Sequence, residues 1–165
     1  MPDHCAAPVK RLRTRAQFQA LLSRPAVART AHFALHRMPV PMYGSAETDA
    51  TDATDVNAAP SNPVQPDAVS FTVSLFAPSD AVWLGAMTPK RWARRAVTRN
   101  TIRRQVYAVG ECLVPPLAAG AQLVRLRAAF SKQQFPSATS DALRQAVRAE
   151  LHQLFQRGAR MKVPA

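Results

Sequence analysis

The stretch Pro89–Tyr107, PKRWARRAVTRNTIRRQVY, holds seven Lys or Arg residues and no acid. Read as a helix, it sets Arg91, Arg95, Arg99 and Arg103 along one line, with Arg94 and Arg104 beside it, because residues four apart stack on one helix face. Ala93, Ala96, Val97, Ile102, Val106 and Val109 supply an apolar side. The pattern predicts an amphipathic helix with one cationic ridge and one buried face. A face meant only for water would gain a few tenths of a kcal/mol per pair by mixing Glu with Arg. No acid is offered here, so the ridge calls for an anionic partner. Asn100 costs roughly half a kcal/mol of helix propensity relative to Ala. Beside Arg99 it can instead hydrogen-bond a phosphate, a 2′-OH or a base edge, or hold a neighbouring backbone group.

The whole chain points the same way. Its 165 residues suit one domain with a proper core, and Lys plus Arg outnumber Asp plus Glu by 22 to 10, for a net charge of +12. Glu47, Asp49, Asp52, Asp55 and Asp67 all lie in Gly44–Asp67, which has no basic residue; elsewhere the body carries +17. Such a body wants a polyanion. Most of the cations are Arg, which bridges phosphates bidentately and stacks on bases, so nucleic acid is favoured over an anionic membrane. No apolar run approaches the roughly 18 residues of a membrane span. The start, MPDHCAAPVKRLRTR, lacks the order of a signal peptide. Cys5 and Cys112 show no motif spacing and read as reduced thiols. The expected compartment is the cytoplasm.

Working outward from the basic segment, Thr14 can cap a short helix reaching about Ser23, with Phe18, Leu21 and Leu22 on one face and Pro25 beyond its end. HFALHRMPV alternates as a half-buried strand, with Phe33 and Leu35 on one side and His32, Ala34 and His36 on the other. From about 41 to 68 the composition turns acidic and Pro-rich, with a TDATDATD near-repeat, which predicts a disordered insertion. AVSFTVSLF and VWLGAM read as strands before the basic helix. AQLVRLRAA reads as a strand after it, with Val124 and Leu126 on one face and Arg125 and Arg127 on the other. SDALRQAVRAELHQLFQR is an amphipathic helix capped by Thr139 or Ser140, with a tail fraying from Gly158. The order of helix, strands, basic helix, strand, helix predicts an α+β fold: a small α–β sandwich with a mixed central sheet, forming a single RNA-binding domain over residues 1–165.

KRWARRAVTRNTIRR (Lys90–Arg104) closely resembles the RNR motif of the protein subunit of bacterial ribonuclease P. Arg99, Asn100, Ile102, Arg103 and Arg104 fill its centre, and Lys90, Arg91, Arg94, Arg95 and Ala96 its approach. Arg11–Met38 resembles the opening helix and first strand of that family, and LGAMTPKR the strand that leads into the motif. The resemblance implies a protein that binds one catalytic RNA and, with it, removes the 5′ leader of precursor tRNA. It implies RNA contacts from Lys90, Arg91, Arg94, Arg95, Arg99, Asn100, Arg103 and Arg104. Arg11, Arg13, Arg15, Arg125 and Arg127 are further basic candidates. It also implies a cleft between the first helix and the sheet that holds the single-stranded leader, lined by Phe18, Phe33 and His36. By periodicity alone Phe18 reads equally well as a core residue beside Leu21 and Leu22. The chain departs from the family pattern at Leu22, where a second cleft aromatic is common, at Thr101, where a basic residue is frequent, at Tyr107 and Ala108, where an Arg-Glu or Arg-Gln pair is usual, and in the acidic insertion.

Metal-assisted phosphodiester hydrolysis needs carboxylates that converge on Mg²⁺. Outside the insertion the acids are Asp3, Asp80, Glu111, Asp141 and Glu150, and no pair has motif spacing. No catalytic residue, metal ligand or firmly bound cofactor is therefore expected in the protein; the resemblance places Mg²⁺ at an active site in the RNA. His32 and His36 would share a strand face, but nothing else supports an acid–base pair. The expected partners are the catalytic RNA and precursor tRNA, with no membrane and no DNA. A stand-alone RNA-binding protein, such as a ribosomal protein or RNA chaperone, fits the charge equally well but not the RNR spacing or the Phe18 helix.

Overall fold

The computed structural model describes residues 9–40, 75–77, 81–113 and 116–161. The acidic insertion and most of AVSFTVSLF, expected to be a strand, lie outside them; its last two residues, Leu75 and Phe76, are in helix and turn rather than strand. The elements run β1 (Val9–Arg11), α1 (Arg15–Leu22), β2 (Ala26–Arg29), β3 (Phe33–Met38), β4 (Val82–Met87), α2 (Ala96–Glu111), β5 (Gly120–Leu126) and α3 (Asp141–Arg160). The five strands form one sheet in the order β1-β4-β5-β3-β2. β1 and β5 run parallel to β4, while β3 is antiparallel to β5 and to β2. The mixed α+β sandwich expected from the element order is the fold observed.

α1 forms because its first turn is sealed from both sides. Thr14 Oγ1 accepts from Gln17 N at 3.3 Å, and Gln17 Oε1 accepts from Thr14 N at 3.1 Å and Arg13 N at 2.8 Å. This reciprocal capping satisfies N–H groups that have no partner within the helix. The Gln17 amide then donates to Leu75 O at 2.8 Å, fastening the chain beyond the insertion to α1. Ser140, one of the two expected caps, opens α3 by accepting from Leu143 N.

Each face of the sheet has its own core. Phe33, Leu35, Leu84, Ala86, Val124 and Leu126 meet Ile102, Val106 and Val109 of α2 and Leu143, Val147, Leu151 and Leu154 of α3. On the other face Leu12, Leu21, Met38, Ala121, Leu123 and Phe76 pack under α1. β3 is thus covered on both sides rather than half-buried. Two short strands, β1 and β2, were not expected from the sequence.

The tail expected to fray from Gly158 is instead helical to Arg160. A Cβ at Gly158 would stand 2.5 Å from Leu35 Cδ2, so the glycine lets the end of α3 close on β3. Arg37 Nη1 donates to Gly158 O at 3.2 Å, a cation placed where helix carbonyls carry partial negative charge. Burial lowers the pKa of that guanidinium. Gly120 opens β5 at φ +122°, where an added Cβ would lie 2.9 Å from Met38 O. Only glycine takes that conformation without strain.

Candidate nucleic-acid interface

The basic segment is part turn and part helix. Trp92 N and Ala93 N both donate to Pro89 O, folding Lys90–Trp92 into a turn whose Ala93 is buried. Arg95 caps the helix in an extended conformation, and α2 starts at Ala96. The expected single ridge is therefore corrected. Arg91, Arg94 and Arg95 project from the approach, and only Arg99, Arg103 and Arg104 stand on the helix. Val97, assigned to the apolar side, is 52% exposed.

Arg99 has a structural share in this arrangement. Its Nη1 donates to Ala93 O at 3.0 Å and Arg94 O at 2.7 Å, bracing the turn against the first turn of α2. Lys90, Arg91, Arg94, Arg95, Asn100, Arg103 and Arg104 are exposed. Opposite them Thr101, Ile102, Gln105, Val106 and Val109 are buried. Thr101 faces inward, so its departure from a basic residue removes no surface cation. Tyr107, another departure, carries the Arg11 guanidinium 4.3 Å above its ring, and a cation stands there after all. Arg13 and Arg15 are also exposed.

The three described carboxylates each sit with a basic side chain of the chain itself. Glu111 lies 4.0 Å from Arg11, Asp141 3.0 Å from Arg144, and Glu150 2.8 Å from His32. None converges with another, and among the described residues no cluster of His, Cys, Asp or Glu could hold a metal.

The opposite face of the sheet carries a second feature. Phe18 and Leu22 of α1 are half-buried against the α1-side core, together with Trp83 and Met87 of β4. Lys10 Nζ lies 5.6 Å from the centre of the Trp83 ring. Arg125 is half-buried, on the opposite side of β5 from Val124 and Leu126, as its alternation predicted. Phe18 is packed on this core yet partly open to solvent.

Phe33 is not on this face. It is fully buried among the α2 and α3 side chains on the other face, so its assignment to the leader cleft is corrected. His36 is on the α1 side but 7% exposed, and its Nδ1 donates to Arg24 O at 2.8 Å, tying β3 to the link after α1. It is a buried brace there rather than an open surface residue. His32 lies before β3, bound to Glu150 and stacked on Phe130 at 4.0 Å, so it forms no pair with His36. Arg127 donates to Thr30 O at 3.3 Å near the end of β5. Trp83, Met87 and Lys10 escaped the sequence reading, although alternation in VWLGAM already sets Trp83 on the face opposite Leu84.

Comparison with known proteins accords with this geometry. Residues 7–158 match the family model described as Ribonuclease P. The ribonuclease P protein component of Ralstonia pickettii is 40% identical over 73 residues, which is 44% of this chain and 51% of that protein. The Burkholderia pseudomallei component is 36% identical over 77 residues, covering 47% and 57%. The chain thus spans about half the length of the curated relatives it matches. In fold it resembles the Staphylococcus aureus RNase P protein, with a TM-score of 0.54 and 14% identity over 92% of this chain and 96% of that one.

Proposed function

The chain belongs to the ribonuclease P family, and from that premise we propose that it is the protein component of a ribonucleoprotein that removes the 5′ leader of precursor tRNA. The carrying observation is the acid-free cationic surface from Lys90 to Arg104, fixed by the turn at Pro89 and the Arg99 brace. On this reading Lys90, Arg91, Arg94, Arg95, Arg103 and Arg104 neutralise phosphates of the catalytic RNA. Asn100 contributes a hydrogen bond that carries no charge. Arg99 acts mainly through the turn it holds.

The α1 side of the sheet is the proposed seat of the single-stranded leader. Phe18 offers an aromatic face to a base, and Lys10, over the Trp83 ring, and Arg125 offer charge to the backbone. Stacking accepts any base, because every base has a π-face, which suits leaders of varied sequence. On this reading bond cleavage belongs to the RNA and its Mg²⁺. The protein contributes binding and register, in the cytoplasm where tRNA precursors are made.

This reading predicts that Phe18→Ala lowers the holoenzyme's preference for precursor over mature tRNA by about tenfold, the loss of roughly one stacked base. The measurement is the ratio of the two dissociation constants. An unchanged ratio would remove Phe18 from the leader site.

A further inference from the structure

A cavity of about 330 Å³ lies between the turn before α2 and the loop joining β5 to α3. Its exposed residues are the cations Arg91, Arg94, Arg95 and Lys132, together with Ala129 and Pro136. Its half-buried walls include Trp92, Phe130 and Phe135. No acid lines it. The walls are held in place: Phe130 meets Phe135 edge-on at 5.9 Å and is backed by the His32 ring, itself anchored on Glu150.

Two further features point to an anionic, acceptor-bearing ligand. The Trp92 Nε1 is buried with no hydrogen-bond partner among the described residues, an arrangement that costs free energy until an acceptor arrives. The first turn of α2 has neither a side-chain cap nor an acid, leaving N–H groups that favour a phosphate. The cavity lies at the small end of the range for ligand sites, about 300–1,000 Å³. That is room for one nucleotide rather than a strand.

We propose that this cavity receives a single unpaired nucleobase of bound RNA, with the adjoining phosphate held by the surrounding arginines and the open start of α2. The inference rests on the RNA-binding reading above and extends it. It adds a single-base site on the α2–α3 side of the sheet, separate from the leader seat proposed under α1. A paired base cannot enter, because its faces and edge are engaged in the duplex, whereas an unstacked base can lie against aromatic side chains. The basic segment would then distinguish RNA with an exposed base from a regular duplex, which phosphate contacts alone cannot do.

The test uses Trp83→Phe protein, in which Trp92 is the remaining tryptophan. Its emission is followed while a single-stranded adenosine oligonucleotide, or an RNA duplex of equal length, is added. The single strand is expected to quench Trp92 and the duplex to leave it unchanged. Phe135→Ala is expected to raise about tenfold the single-strand concentration needed for the Trp92 quench and to move duplex binding by less than about twofold. Single-strand binding with unaltered Trp92 emission would overturn the pocket while leaving the RNA-binding reading in place. Failure of both RNAs to bind would overturn both. The emission experiment keeps Phe135 intact, so it decides the proposal even where Phe135→Ala perturbs folding.

Discussion

Raising salt from 50 to 200 mM is expected to weaken binding to the catalytic RNA by about 10³-fold. The estimate follows from the exposed cations Lys90, Arg91, Arg94, Arg95, Arg103 and Arg104. Each phosphate they neutralise releases condensed counterions, and the logarithm of the affinity falls in proportion to the number of such contacts. Arg103→Ala combined with Arg104→Ala should lower the salt slope by about 2, roughly 1 per lost phosphate contact. Asn100→Ala should weaken binding without changing the slope, because the amide displaces no ion. Arg99→Ala is the less informative variant, since it also releases the turn held through Ala93 O and Arg94 O. A slope near zero, measured by filter binding across that salt range, would mean that these side chains do not meet phosphates.

Phe33→Ala is expected to cost about 3–5 kcal/mol of folding stability, in the range for aromatic truncation in a packed core. Phe33 is fully buried between the sheet and α3, with Phe130 5.9 Å away. The void would lie under Leu35, Leu126 and the α3 side chains, which are themselves packed in a single cluster with little room to collapse. Urea unfolding reads this directly as a fall in midpoint. Phe18→Ala, at a half-buried position, should cost clearly less. The pair of variants thus separates a core aromatic from a partly open one, which the resemblance had placed together.

Features written in local chemistry could be read before the structure was known. Thr14 stands at the start of a short apolar stripe, Ser140 precedes a long one, and the sandwich follows from the order of the elements. β1 and β2 escaped because three or four residues carry no periodicity, and β1 exists only by pairing with Val82–Leu84, some seventy positions on. Phe33 was misplaced because the resemblance set it beside His36 in one cleft. Alternation already assigns Phe33 and Leu35 to one side of β3 and Ala34 and His36 to the other, so both could not line the same face. The larger α2–α3 core took the bulky set. The basic ridge was legible as composition, whereas its division at Arg95 depended on hydrogen bonds to Pro89 O and from Arg99. The cavity beside Trp92 joins loops about forty residues apart in sequence, and no spacing rule would have found it.

The most direct test is reconstitution. Purified protein is mixed with the catalytic RNA from the same organism at low Mg²⁺, and release of the 5′ leader from precursor tRNA is followed over time. The expected result is strong stimulation by the protein, largely lost with the combined Asn100→Ala, Arg103→Ala and Arg104→Ala changes. Tight RNA binding with no acceleration of leader release would contradict it, and would leave a general RNA-binding protein built on the same fold.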